Sequence, residues 1–312
     1  MRTIKIKQSF LSIALCSFTV SSVASTSISA ADPSFQQRAS STARSGAVGA
    51  TTNSHSSYFW NPATNAFFNK YSVALNYSQS TSNIQAQIID ATTNPAFGGG
   101  MFYQQRKVEE VDWSQDTSLG TYNRSEKSYG TTMFSKLGNK MGLGLTVKYL
   151  QINPEKNSGF KKENYWNADF GVIYKLTQEI SLGASALDFL SNSKNPSPKR
   201  YVFSSEFRPG PHFALSAQLE HYNELKEDSL FNFQQESSLS WAASAQYTYN
   251  KRMSLSAGYR KHGPWNQTRY SAGITYHGQK LSAGYAIQGN LTAETKEEKK
   301  AQHHNFDVAL TF

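Results

Sequence analysis

Residues 238–249 read Ser238-Leu239-Ser240-Trp241-Ala242-Ala243-Ser244-Ala245-Gln246-Tyr247-Thr248-Tyr249, and this stretch decides the fold. Leu239, Trp241, Ala243, Ala245, Tyr247 and Tyr249 fall on one side of a two-residue period, and Ser238, Ser240, Ala242, Ser244, Gln246 and Thr248 on the other. A period of two is the signature of a strand with one apolar and one polar face. After Asn250-Lys251-Arg252 the pattern restarts with Met253, Leu255, Ala257 and Tyr259, returns with Tyr270, Ala272, Ile274 and Tyr276, and again with Leu281, Ala283, Tyr285 and Ile287. The chain closes on Phe306, Val308, Leu310 and Phe312.

A β-sandwich also alternates, because its strands bury one face. Connection length separates the two architectures. Strands are expected near 304–312, 280–288, 268–277, 252–261, 237–250, 212–222, 199–208, 180–190, 164–176 and 141–152. Between them, long polar stretches (289–303, 262–267, 223–236, 191–198, 153–163) take turns with tight ones such as Pro209-Gly210-Pro211 and Gly138-Asn139-Lys140. Short turns on one side and longer loops on the other are the pattern of outer-membrane barrels. Weaker strands at 123–136, 97–106, 83–90 and 70–79 bring the number to fourteen, with twelve as the alternative. The expected fold class is therefore all-β, a transmembrane antiparallel barrel of about fourteen strands.

Composition agrees. Mean hydropathy is -0.55 and hydrophobic residues make up 38% of 312, with no apolar run long enough for a spanning helix beyond the N-terminus. Aromatic residues reach 13%, as suits rings placed at two membrane interfaces. At the start, Arg2, Lys5 and Lys7 precede a largely apolar Phe10–Val20 and two small-residue sites, Ser22-Val23-Ala24 and Ser29-Ala30-Ala31. Residues 1–31 read as a signal peptide cleaved after Ala31, which points to export to the bacterial outer membrane. Cys16, the one cysteine, leaves with it, and loss of three cations takes the formal charge from +9 to +6. Nucleic acid is not an expected partner; outer-membrane lipid is.

Residues 44–63 contain Arg44-Ser45-Gly46-Ala47-Val48-Gly49-Ala50, a polar spacer, and Tyr58-Phe59-Trp60-Asn61-Pro62-Ala63. This order resembles the N-terminal signature of the long-chain fatty-acid transporter (FadL-like) superfamily of outer-membrane barrels, which includes PorV-type proteins. The resemblance implies fourteen strands, an N-terminal hatch folded into the lumen, and passage of hydrophobic molecules in transporter members. It divides the chain into 1–31, a hatch at 32–69 and a barrel at 70–312. Read from composition alone, residues 32–69 are either a disordered leader or a segment packed where polar side chains satisfy its backbone. Inward-facing glycines, among them Gly142, Gly144, Gly171, Gly183, Gly258, Gly273 and Gly284, would leave room for inserted backbone.

The expected hatch or ligand-path residues are Gly46, Gly49, Tyr58, Phe59, Trp60, Asn61, Pro62 and Ala63. On the polar face, Lys148, Asp169, Lys175, Glu206, Arg208, Glu220, Arg260, Arg269 and Asp307 either pair across the lumen or line a water path. Phe306, Val308, Leu310 and Phe312 form the expected signal for the barrel-assembly machinery. No metal site, cofactor or catalytic group is expected: His303 and His304 point to opposite faces of a strand, and His221, His262 and Asp228 form no nucleophile signature. The reading is passive uptake of a small hydrophobic ligand past the hatch; the alternatives are a non-transporting scaffold or binding barrel of PorV type, and a general diffusion porin.

Overall fold

The computed structural model describes residues 39–52, 57–79, 83–94, 97–111, 122–154, 162–190, 199–227, 233–263, 267–292 and 302–312. The expected signal peptide, its expected cleavage site and Cys16 lie outside the described residues. A short helix α1 (Ala39–Thr42) and a 3-10 helix (Pro62–Phe67) precede fourteen strands: β1 (Tyr71–Ser78), β2 (Asn83–Asn94), β3 (Phe97–Val111), β4 (Tyr122–Leu137), β5 (Met141–Pro154), β6 (Glu163–Lys175), β7 (Ile180–Leu187), β8 (Lys199–Phe207), β9 (Phe213–Glu227), β10 (Phe233–Tyr249), β11 (Met253–His262), β12 (Gln267–His277), β13 (Leu281–Asn290) and β14 (His303–Thr311). Each pairs antiparallel with its neighbour in sequence, and β14 pairs with β1 to close the barrel. The closing register sets Leu75 against Val308 and Tyr77 against Phe306, and Phe312 N–H donates to the Tyr71 carbonyl at 2.9 Å. Closure leaves no strand edge, which hydrocarbon could not satisfy.

All fourteen expected strands are present. Most boundaries move by a residue or two, but β3, β9 and β10 run several residues further toward the long-loop rim than the alternation indicated. The long connection expected at 223–236 thereby shrinks to 228–232. Those extensions are polar, so they carry no lipid-facing period to betray them; ladder hydrogen bonds extend the strands beyond the membrane band.

Why the strands sit as they do follows from their two faces. In β10, Leu239, Trp241, Tyr247 and Tyr249 are exposed, while Ser240, Ala242 and Ser244 are buried. The exposed side chains form the barrel's outer surface, and the buried ones point into the lumen. Two aromatic girdles bound the outer face. Near the long-loop rim Tyr103, Tyr129, Tyr149 and Trp166 stand side by side on β3–β6, in register with one another. Near the short-turn rim lie Phe97, Tyr174, Phe207, Phe213, Tyr247 and Tyr276. Tyr174 and Trp166 are eight residues apart on β6, roughly 20 Å along the barrel axis for a strand tilted about 40°, in keeping with the ~25 Å apolar band of outer-membrane barrels. No helix among the described residues is long and apolar enough to cross a membrane.

Fourteen strands enclose more space than barrel side chains alone can fill, since about eight already suffice for a packed interior. Here residues 39–52 and 57–68 occupy that space. The α1 helix touches β12, β13 and β14, and the 3-10 helix touches β3, β4, β5 and β6. Between them the segment bonds to lumen-facing groups of β7, β8, β9 and β10. A segment that meets the inner faces of strands all around a closed barrel lies inside it.

Candidate functional site: the filled lumen

The Asn-Pro-Ala tripeptide explains itself once its bonds are followed. Asn61 caps the 3-10 helix, its Oδ1 accepting from Ala63 N–H at 3.0 Å, with Pro62 at the first helical position where its missing N–H costs nothing. The same side chain donates from Nδ2 to the Gly49 carbonyl and to the Val172 carbonyl of β6, both at 2.9 Å. One amide therefore ends a helix, ties the two halves of the inserted segment together and fastens them to the wall. The wall makes room for this. A Cβ on Gly171 would fall on Asn61 Oδ1, and one on Gly144 would fall on the Pro62–Ala63 peptide.

Gly46 serves the inside in the same way. Its φ of +77° belongs to the left-handed region, and a Cβ there would lie 2.6 Å from the Trp60 ring. Trp60 is buried, with the Arg260 guanidinium 4.6 Å from its ring centroid and that of Arg200 at 5.7 Å. Tyr58 and Phe59 form an aromatic trio with Phe102 of β3, centroids 4.0 to 5.7 Å apart. At the short-turn end, Phe67 lies under the Lys175 ammonium at 4.0 Å and joins Ala63, Ala66, Phe68, Ile89, Phe134 and Ile173 in an apolar cluster.

The inward charges are matched in three groups. Glu206 receives the Arg44 guanidinium at 2.7 Å, the Thr51 hydroxyl at 2.7 Å and Arg208 at 2.9 Å; Arg44 also donates to Thr51 at 2.9 Å and to Ser216. Lys148 bridges Asp169 and Asp188, each at 2.8 Å, and Arg200 approaches Asp188 at 3.7 Å. Glu220 pairs with Arg260, accepts from Gln218 at 2.7 Å and from the Tyr222 hydroxyl at 2.5 Å, while Arg260 Nε donates to the Ser45 carbonyl at 2.8 Å. Charges this deeply buried survive only when paired and hydrogen-bonded. Two of the groups end on the inserted segment, so the pairs hold it in place.

Every residue expected along the hatch path lies in the lumen: Gly46 and Gly49 in the first half, Tyr58 to Ala63 in the second. Lys148, Asp169, Glu220, Arg260, Arg269 and Asp307 are buried and inward. Arg269 bonds Gln267 at 2.8 Å, and Asp307 Oδ2 accepts from Ser40 N–H at 3.3 Å. Arg208 stands at the short-turn mouth of the lumen: β8 ends at Phe207, and the Arg208 side chain, 43% exposed, still pairs inward with Glu206. Phe306, Val308, Leu310 and Phe312 face outward, which removes them from the lumen and leaves them on the lipid side. Arg44, Asp188 and Arg200 were not among the expected charges. Arg44 sits in an aperiodic stretch, Asp188 just beyond β7 with a left-handed φ of 56°, and Arg200 at the start of a strand where alternation is hardest to read.

A cavity of about 460 Å³ lies at the short-turn mouth. Its floor is the inserted segment, through Ser40, Arg44, Val48, Thr51 and Thr52, and its walls include Arg208, Gln246, Thr248, Lys251, Ser254, Ser256, Thr275, His277, Ser282 and Asp307. The spaces beside the aromatic trio measure about 10 Å³ each, no more than one water needs.

Residues 128–309 match the family model described as type IX secretion system membrane protein PorP/SprF. A Pseudomonas aeruginosa FadL homologue superimposes with a TM-score of 0.61 over 88% of this chain and 98% of its own, at 12% identity. The deltaS2S3 mutant of the TodX monoaromatic hydrocarbon channel gives 0.64 over 88% and 97%, also at 12% identity; a second TodX mutant (deltaS2) gives 0.58 over 86% and 97% at 14%. At such identities the likeness is one of fold. No curated protein sequence matches the chain.

Proposed function

We propose that this chain, which belongs to the PorP/SprF family of type IX secretion system membrane proteins, works as a plugged outer-membrane barrel that docks exported or envelope proteins and conducts nothing at rest. The observation that carries this reading is the lumen. The inserted segment is bonded to the wall through Asn61, Arg44 and Ser45, and the charges deepest in the lumen are paired around it, which favours a blocked lumen over a steady ion path.

Uptake of small hydrophobic molecules is the reading that the FadL-like fold brings with it. Against it stands the size of the spaces beside Tyr58, Phe59 and Phe102, too small for an aromatic ring. A ligand would first have to displace the packed rings of this trio. The cavity at the short-turn mouth is lined mostly by polar residues and opens toward the periplasm, as the short turns define that side. A polar vestibule with a sealed floor suits a docking partner. The test is a clean deletion of the gene. Loss of type IX-exported proteins from the cell surface and medium, with unchanged uptake of monoaromatic hydrocarbons, is the expected outcome. Normal secretion with impaired hydrocarbon uptake would overturn the reading in favour of a channel.

A further inference from the structure

We propose that the periplasmic vestibule is a receptor site for an acidic peptide segment of a partner protein. The proposal deepens the docking role above and rests on it. The vestibule is walled by Arg208 and Lys251, with Arg44 in its floor. A single carboxylate, Glu206, serves two of these three cations, and Asp307 on the opposite wall is engaged by Ser40. Three cations against two carboxylates leave positive charge inside a concavity, where field lines concentrate. Arg208 is the half-exposed member, able to turn toward an incoming carboxylate without leaving its partner.

The remaining wall is hydroxylic. Thr248, Ser254, Ser256 and Thr275 present donors and acceptors to the cavity, and such groups suit an extended main chain, which needs both. A volume of about 460 Å³ is within the usual range for a ligand site. Around the opening, the short turns and adjoining residues carry Lys136, Lys140, Lys175, Arg252 and Lys280 against Glu179, which would steer an acidic partner toward the mouth. Anionic lipid headgroups meet the outer part of that rim. They cannot reach Arg44 and the hydroxyls from within the barrel, so the inward geometry favours a peptide. The carboxylates could come from Asp and Glu side chains or from a chain terminus.

The test uses the full-length protein in detergent and labelled octapeptides: one rich in Asp and Glu, its Asn and Gln counterpart, and the neutral peptide with a free terminal carboxylate. Fluorescence anisotropy should show binding of the acidic peptide, weakened about tenfold or more between low and physiological salt, and none of the blocked neutral one. Binding of the third peptide would assign the carboxylate to a chain end. Lys251→Glu and the cavity-filling Ser256→Trp should each weaken binding at least about tenfold, whereas K140E/K280E at the outer rim should not. Lys251 lies on an exposed turn, so its substitution tests the site even if Ser256→Trp fails to fold. Equal loss in the rim variant with none in Ser256→Trp would reduce the effect to surface attraction and overturn the site. So would full competition by millimolar inorganic phosphate, which would mark a small-anion site. Failure to bind in a protein that is electrically silent overturns the vestibule alone; steady conductance overturns the plugged reading as well.

Discussion

Asn61 ties the two halves of the inserted segment to each other and to the wall, because its oxygen and its nitrogen are both committed. Replacing it by Ala removes a cap worth about 1 kcal/mol and two buried hydrogen bonds of about 1 kcal/mol each, so N61A should lose roughly 2–4 kcal/mol of stability. Asn61→Asp separates the contributions: it keeps the capping oxygen but turns a carboxylate oxygen toward two carbonyls. Denaturant titration of the detergent-solubilised protein should place N61D no higher than N61A; full stability in N61D would show that the cap alone matters. Arg44 makes a second test. R44M strands the Glu206 carboxylate among hydroxyls and Arg208, at a cost of about 3–5 kcal/mol, and R44M/E206L should regain a good part of it. The temperature at which the barrel loses its compact gel mobility reports both. Asn61 could be picked out from the sequence because its tripeptide has a recognisable neighbourhood. Arg44 could not, since nothing near it in the chain discloses a partner 162 residues away.

The strands were legible because lipid imposes a strict rule on them. Each residue of β10–β14 that meets the bilayer is apolar, its neighbours are small or polar, and that contrast repeats at a fixed period. The rule lapses where lipid ends, which is why the outer ends of β3, β9 and β10 were read short and why β4, with Thr131 outward and Phe134 inward, showed no clean apolar face. The inner surface of the wall follows another rule, set by the inserted segment. Small residues stand where its backbone comes closest, as Gly144 does against Pro62 and Ala63. Gly144→Val should therefore leave β5 competent to pair but expel the 3-10 helix. Planar-bilayer recording of G144V is expected to show channels that the parent lacks, and a silent, stable G144V would mean the segment is held elsewhere.

At the scale of the molecule, a closed fourteen-strand barrel fills its interior with a segment of its own chain. The fold class, the strand number and the lumen-facing charges could be argued from alternation and spacing. What the charges do could not, because pairing depends on what the closed barrel and the inserted segment bring together: Lys148 with Asp188, Arg260 with Glu220, Arg44 with Glu206. The same holds for the vestibule, whose floor and walls come from opposite ends of the sequence. The most direct measurement is single-channel conductance of the purified full-length protein beside a variant lacking residues 39–68. The account predicts silence from the full chain and large, steady openings from the deletion variant. Steady openings from the full chain, or an equally silent deletion variant, would contradict it.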